Sequence, residues 1–154
     1  MIKKNAFTLI EILVVVTIIG LLAGVGAVTY SQFIKQSRDA RRKADLELIR
    51  SALEQYRADN DTYPSQSNVN GFWPGYPLPA NCDETATPPI PCYMNKAPQD
   101  PQFKGVAGDP GYFYQKNGDS YTLGAYLESS SAPTCHLYCA GKDCNYCLGP
   151  YGEQ

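Results

Sequence analysis

The chain offers few side chains that could act as a catalytic base beside a nucleophile. Its only histidine is His136, which lies within a cysteine-rich C-terminal stretch. A serine hydrolase needs a histidine that a carboxylate orients beside the nucleophile, and the spacing of this sequence supplies no such set. With 154 residues and a formal net charge of -2, the chain also lacks the long charged runs typical of nucleic-acid-binding segments. We therefore predict that it has no catalytic residues and is not an enzyme.

Cysteine is the second residue type that could form bonds or bind a metal. All six cysteines follow Pro64. They are Cys82, Cys92, Cys135, Cys139, Cys144 and Cys147. Nearness in sequence favours a disulfide between Cys82 and Cys92, and the connectivity of the other four stays open. Those four, with His136 beside the first, would also suit a tetrahedral zinc ion. Because disulfides persist outside the reducing cytosol and staple regions with small cores, we expect disulfides rather than zinc.

Glu11 is a carboxylate at the start of a long apolar stretch. Residues 12–34 are 23 positions without a charged side chain, which is enough to cross a bilayer as a helix. They lack the polar positions at a 3.6-residue period that a surface helix of a soluble protein shows. A charge in such a segment is costly and is a functional candidate by default. A plain N-terminal anchor and a cleaved secretory signal remain alternatives.

The residues around Glu11 carry a resemblance to a known family. The segment Lys3-Lys4-Asn5-Ala6-Phe7-Thr8-Leu9-Ile10-Glu11 resembles the class III leader of type IV pilins and type II secretion pseudopilins. The resemblance implies cleavage between Ala6 and Phe7, although the family usually has Gly where this chain has Ala6. It also implies N-methylation of the new terminus at Phe7, and a role for Glu11 in filament assembly.

The charge of Glu11 suits such an assembly. A buried carboxylate costs free energy unless it is paired and hydrogen-bonded. The α-amino group of Phe7 in one subunit could neutralise Glu11 of its neighbour, whereas within one subunit the two groups lie a helical turn apart. This pairing predicts that subunits associate in one axial register.

The charges that flank the apolar stretch disagree with export of the C-terminal part. Two lysines precede the stretch, whereas five cations follow it: Lys35, Arg38, Arg41, Arg42 and Lys43. The positive-inside rule alone would therefore keep the C-terminal part in the cytoplasm. The cysteines and the leader indicate export, and we give them precedence. We expect the cluster 41–43 to form a solvated or neighbour-facing charged face, with contact to nucleic acid or anionic lipid as the alternative.

A single helix is predicted to continue beyond the apolar stretch. Leu46, Ile49, Leu53 and Tyr56 recur at spacings of three and four, which marks one apolar stripe. We predict a helix over 7–61, apolar over about 7–34, because Asp59-Asn60-Asp61 is typical of a helix end. Such a rod would be on the order of 80 Å long, and its lower part needs lipid or neighbouring subunits.

Three glycines interrupt the apolar half of this helix. Gly20, Gly24 and Gly26 include small residues four apart, which let helices approach closely in membranes. Glycine also weakens a helix interior, so these positions could unwind in a filament. Close packing, local flexibility and no role at all stay open.

Residues 62–154 are predicted to form a globular head, with a loop region (62–94), a β-hairpin region (95–128) and a Cys-rich tail (129–154). Asn117-Gly118 is typical of a tight hairpin turn. The alternation after the turn predicts that one strand face packs on the helix stripe with Tyr121, Leu123, Ala125 and Leu127. A third short strand is expected within 92–106 or 134–148, because an isolated hairpin is marginal. The predicted fold class is therefore α+β: a long N-terminal helix packed on a small antiparallel sheet with disulfide-stapled loops, after a leader at 1–6.

The resemblance extends into the head. The segment Ala97-Pro98-Gln99-Asp100-Pro101 and the tyrosine-rich hairpin are similar to the heads of major pseudopilins and related pilins, some of which bind calcium. Asp100, Asp109 and Asp119 could supply oxygen ligands. Aspartate is also an ordinary turn residue, so we expect no cofactor.

The function expected from the resemblance is that of a structural subunit of a type IV pilus. The implied partners are further copies of the chain in a helical filament, prepilin peptidase and the membrane assembly machinery. Before assembly it would be a single-pass membrane protein with its head outside the cytoplasm. The loop 65–94 and the tail favour a filament on the cell surface, used for adhesion, motility or DNA uptake, with DNA only an indirect partner. A major pseudopilin of a type II secretion system is the alternative, and a membrane-anchored binding domain that never polymerises is the second.

Overall fold

The computed structural model describes residues 8–65, 78–79, 82–83, 85, 89, 91–104, 111–130, 137–139 and 142–153. A long helix, α1 (Leu9–Asn60), is followed by β1 (Phe113–Asn117), β2 (Ser120–Ala125), β3 (Tyr138–Cys139), β4 (Lys142–Asp143), β5 (Tyr146–Gly149) and β6 (Gly152–Glu153). The predicted α+β class, with one long N-terminal helix and a small antiparallel sheet, is confirmed. The predicted leader and most of the predicted loop region 62–94 lie outside the described residues.

Both ends of α1 are capped. Thr8 is the N-cap: its Oγ1 accepts the N–H of Glu11 at 3.3 Å, and the Glu11 carboxylate accepts the N–H of Thr8 at 2.8 Å. This reciprocal pair is a capping box, which satisfies two free N–H groups of the first turn. At the other end Asp61 adopts the left-handed conformation with φ 56°, and its N–H donates to the carbonyl of Arg57 at 2.8 Å.

The strands form two antiparallel sheets. The larger sheet has the order β1-β2-β5-β6, and β3 and β4 form a two-stranded sheet of their own. The predicted hairpin is confirmed, because β1 pairs with β2 around a turn at Gly118, whose φ is 61°. A third strand is found in the second predicted range: β5 pairs with β2, with Leu123 opposite Leu148. Residues 91–104 contain no strand, only the isolated bridge between Leu78 and Met94.

The main core lies between α1 and one face of the larger sheet. On the helix, Leu46, Ile49 and Leu53 are fully buried. The predicted facing set is buried with them: Tyr121, Leu123, Ala125 and Leu127. Burial of each large apolar side chain stabilises the fold by about 1.5–3 kcal/mol, so this stripe fixes the head on the upper half of the helix.

Residues of the cysteine-rich tail form a second core. Leu137, Cys139, Cys144 and Cys147 are buried together, with Phe113 and Tyr126 packed against them. Disulfides join Cys82 to Cys92 and Cys139 to Cys144. Cys147 is also disulfide-bonded, and Cys135 lies outside the described residues. The sulfur atoms of the described cysteines are therefore held in disulfides within the head.

The second core packs closely against β2 because residue 124 of that strand is a glycine. A Cβ atom at Gly124 would lie 2.8 Å from Sγ of Cys144 and 3.2 Å from Cδ1 of Leu137. Real Cβ atoms do not approach a sulfur so closely, so a larger residue would push the tail away from the sheet. Glycine is required here by a neighbour, which is one of the recognised uses of glycine inside a strand.

Candidate functional site

The apolar half of α1 is exposed at residues 9–25 and 30–33. Every side chain from Leu9 to Val25 is exposed, with Leu9 at 83% and Phe33, further up, still at 65%. By length and composition, α1 can cross a membrane. An apolar surface of this extent is typical of an interaction site with lipid or protein.

Glu11 lies at the start of this surface, and Thr8 holds its carboxylate. Oε2 of Glu11 accepts the N–H of Thr8 at 2.8 Å and its hydroxyl at 2.7 Å. Both residues follow Phe7, so the arrangement does not depend on a leader. Among the residues that the structure describes, Glu11 has hydrogen-bond donors but no cation within ion-pair distance. It is therefore partly satisfied by its own helix end and still suited to a positive partner from another molecule.

The capping role of Thr8 was missed at the level of sequence. The signal was present, since a Ser or Thr followed three residues later by Glu before an apolar run is the capping-box pattern. Ala6 and Phe7, the predicted cleavage and methylation residues, lie outside the described residues. The cleavage, methylation and assembly roles therefore stay predictions.

The glycines of the apolar half lie within continuous helix. A Cβ atom at Gly20 or Gly24 would meet no atom within 4 Å. Packing inside one subunit therefore does not require either glycine. Any close approach that they permit is to another molecule, and the predicted roles of Gly20, Gly24 and Gly26 in packing and flexibility remain to be tested.

A buried ion cluster fastens α1 to the head. Arg42 is fully buried, and its guanidinium contacts Asp39 at 2.8 Å, Asp100 at 2.7 Å and Glu128 at 3.0 Å. The prediction of a solvated or neighbour-facing cluster at 41–43 is wrong for Arg42. Its partners Asp100 and Glu128 come from distant parts of the chain, so no local pattern could reveal that this cation is internal.

Backbone donors and a second arginine complete the cluster. Asp39 accepts the N–H groups of Glu128 at 2.9 Å and Ser129 at 2.8 Å, and Arg38 pairs with Glu128 at 2.5 Å. Hydrogen bonds from Arg38, and then from Arg42, hold the pKa of Glu128 at about 2 against the opposing effect of burial. Burial acts to raise the pKa of Asp39, but the bonds from the two backbone N–H groups bring it below its ordinary value.

Of the aspartates considered for calcium, the structure describes Asp100 and Asp119, and these two have different surroundings. Asp100 belongs to the ion cluster, where Arg42 occupies both carboxylate oxygens and the N–H of Gln102 donates at 2.8 Å. Asp119 lies in the exposed hairpin turn, and Asp109 is outside the described residues. In the described part of the chain, no group of three or more His, Cys, Asp or Glu residues could hold a metal ion.

Comparison with known proteins identifies relatives of this chain. Residues 1–27 match the family described as the prokaryotic N-terminal methylation motif. The chain is 34% identical over 132 residues to type II secretion system core protein G of Pseudomonas aeruginosa, which covers 80% of this chain and 84% of that protein. It is 27% identical over 127 residues to the protein of the same name from Vibrio cholerae, covering 80% and 79%.

A pilin is also among the relatives. The chain is 32% identical over 72 residues to the type IV major pilin protein PilA of Myxococcus xanthus, which covers 47% of this chain and 33% of that protein. No solved structure matches the chain. The methylation motif coincides with the capped helix start and its exposed apolar surface, and the longest of these matches includes much of the head. The chain belongs to the family of type IV pilins and type II secretion pseudopilins.

Proposed function

We propose that this chain is the major pseudopilin of a type II secretion system, a structural subunit and not a catalyst. The observation that carries the proposal is the extent of the similarity to core protein G, which covers 84% of the Pseudomonas protein. The match to the pilin PilA covers less than half of this chain. The comparisons therefore favour the secretion alternative over the surface pilus, which the loop 65–94 and the tail favoured at the level of sequence.

The exposed apolar half of α1 supports a membrane-inserted precursor that later polymerises. In this proposal prepilin peptidase cuts between Ala6 and Phe7, and the helix is retained in the membrane with the head on the periplasmic side. Side chains that contact lipid before assembly contact neighbouring helices afterwards. The head, fastened by the ion cluster around Arg42, lies on the outside of a short periplasmic filament.

Glu11 directs the assembly step. The α-amino group of Phe7 in one subunit pairs with the carboxylate of Glu11 in the next, which removes an uncompensated charge from the apolar interior. The capping bonds from Thr8 lower the cost of Glu11 in the single subunit, but they supply no opposite charge. The new pair therefore favours the filament over the isolated membrane-inserted subunit.

Substitution of Glu11 tests the assembly role and separates it from capping. Glu11→Ala removes both the charge and the acceptor for Thr8, whereas Glu11→Gln keeps an acceptor oxygen and removes only the charge. If pairing with Phe7 drives assembly, both variants stay in the membrane and neither forms filaments. Assembly of Glu11→Gln at the wild-type level would show that only the cap matters. Filament assembly by Glu11→Ala at the wild-type level would show that Glu11 is not needed for assembly. Unchanged host activity of Glu11→Ala in cells that form no filament would favour an anchored binding domain.

Deletion in the host distinguishes the two kinds of filament. Loss of a pseudopilin should stop protein export while any surface fibres persist. Loss of surface fibres with export unchanged would assign the chain to a type IV pilus, the second candidate that the similarity to PilA supports.

Mass spectrometry of the host protein should find an N-methylated Phe7 at the terminus, and an intact leader or a terminus at Val28 would contradict the processing step.

A further inference from the structure

The part of α1 above the apolar half repeats the order of charges that Phe7 and Glu11 begin. Within α1 a cation precedes a carboxylate by four positions four times, in the pairs Arg41/Asp45, Lys43/Glu47, Arg50/Glu54 and Lys35/Asp39. This order is the weaker one for pairing within a single helix. Among the described residues only the first of these pairs is within ion-pair distance, at 3.9 Å.

Most of these charges are used inside the subunit. Lys43 lies 4.7 Å from the ring centre of Tyr146. Asp45 accepts the hydroxyl of Tyr112 at 2.6 Å, and Glu54 accepts the hydroxyl of Tyr121 at 3.0 Å. These groups are committed to the contact between helix and head, so they are poor candidates for a contact with another subunit.

Among the members of this set that form an ion pair, Arg41 and Glu47 have the most exposed side chains. The side chain of Arg41 is 63% exposed, and its contact with Asp45 is long. The side chain of Glu47 is 53% exposed, and its contact with Arg50 is 3.2 Å. A complementary contact between identical subunits needs opposite charges that the fold leaves exposed.

The two residues occupy different faces of the helix. Arg41 and Glu47 are six positions apart, which places them about 120° apart around the axis and about 9 Å apart along it. A filament built by one repeated head-to-tail contact uses two different faces of each subunit, one toward each neighbour. Arg41 and Glu47 meet this requirement, whereas Lys43 and Glu47 are neighbours on one face.

The axial displacement between neighbouring subunits also suits a contact between Arg41 and Glu47. Pairing of Phe7 with Glu11 of the next subunit displaces the neighbouring helix by four residues, or about 6 Å. The same displacement brings Arg41 of one subunit within about 3 Å, along the axis, of the level of Glu47 in the next. The long side chain of Arg41 can span this remaining axial distance.

We propose that Arg41 of one subunit pairs with Glu47 of the next copy of this chain in the filament. The pair is a second contact, outside the membrane segment, that selects the same register as Phe7 and Glu11. The inference rests on the proposed function, because it requires that the chain polymerises through parallel, staggered helices.

Charge reversal in the full-length chain tests the pair. Arg41→Glu and Glu47→Arg each place two like charges at every contact. For each variant alone, the amount of sedimentable filament should therefore fall at least about tenfold. The double variant restores an opposite pair and should recover. Co-expression of the two single variants should recover as well, because a filament in which they alternate has an opposite pair at every contact. Lys96→Glu, an exposed reversal on the head, is the matched control and should assemble like the wild type.

Recovery by mixing separates the pair from a folding defect, since two misfolded subunits do not repair each other. Wild-type assembly of both single variants would overturn the proposal. Failure of both the double variant and the mixture to recover would also overturn it. If the wild-type chain itself forms no filament, the proposed function fails and the pair with it. If the wild type assembles and only the reversal results are contrary, the proposed function stands without this contact.

Discussion

Replacement of Arg42 by alanine should destabilise the junction between helix and head severely. Arg42 is fully buried, and its charge offsets the carboxylates of Asp39, Asp100 and Glu128. Removal of one partner of a buried ion pair costs about 3–5 kcal/mol, because the remaining charges stay desolvated. A domain is stable by only about 5–15 kcal/mol in total, so the variant should lose a large share of its free energy of unfolding.

The measurement is urea unfolding of the full chain in non-ionic detergent. Near-UV circular dichroism of buried tyrosines such as Tyr114 and Tyr121 reports on the head, whereas the membrane helix persists in detergent. Arg41→Ala is the matched control, since the adjacent arginine is exposed, and it should change the free energy of unfolding by no more than about 0.5 kcal/mol. Arg42→Lys keeps the charge but loses the two-pronged contact with Asp100, so its stability should lie between the two.

One result would refute this account of the junction. If Arg42→Ala and Arg41→Ala unfold at the same urea concentration, the ion cluster does not hold the head on the helix. The apolar stripe around Leu46 and Ile49 would then account for the attachment alone.

Two further predictions concern the head. Because Arg38 holds the pKa of Glu128 at about 2, below its ordinary value of 4.5, the stabilisation from Glu128 is complete above about pH 4.5 and is lost as the pH falls toward 2. The urea midpoint of the wild type should fall through that window more steeply than that of Glu128→Gln, and parallel profiles would contradict the assignment. Gly124→Ala puts a Cβ atom 2.8 Å from Sγ of Cys144 and should lower the free energy of unfolding by about 1–3 kcal/mol. Gly111→Ala, where a Cβ atom meets nothing within 4 Å, is the control and should unfold like the wild type.

The parts of the fold that depend on neighbouring residues could be predicted from the sequence. The helix stripe around Leu46 follows from a 3.6-residue period, and the turn of the hairpin follows from Asn117-Gly118. The bond between Cys82 and Cys92 follows from their nearness. The capping box of Thr8 and Glu11 was equally local and could have been read from the same residues.

The parts that depend on distant residues could not be predicted. Arg42 has the same local surroundings as its exposed neighbours, and only the arrival of Asp100 and Glu128 makes it internal. A third strand was expected in one of two ranges, but its pairing with β2 was not predicted, because Leu148 lies in a cysteine-rich tail without the alternation that marks a strand. For the proposed assembly surface, the sequence predicted Glu11 and the apolar helix. The structure added which of the charges above them contact the head.

The contacts between helix and head extend along the helix, and their arrangement decides how the molecule bears a load. They run from the pair of Arg38 with Glu128 to the hydrogen bond of Asn60 with the hydroxyl of Tyr93, a span of about 33 Å along the axis. A force applied along the helix loads these contacts in shear, so they share the tension and must fail together. A force applied sideways would instead peel them apart one at a time. The junction is therefore strongest in the direction in which a thrust from the membrane end would travel.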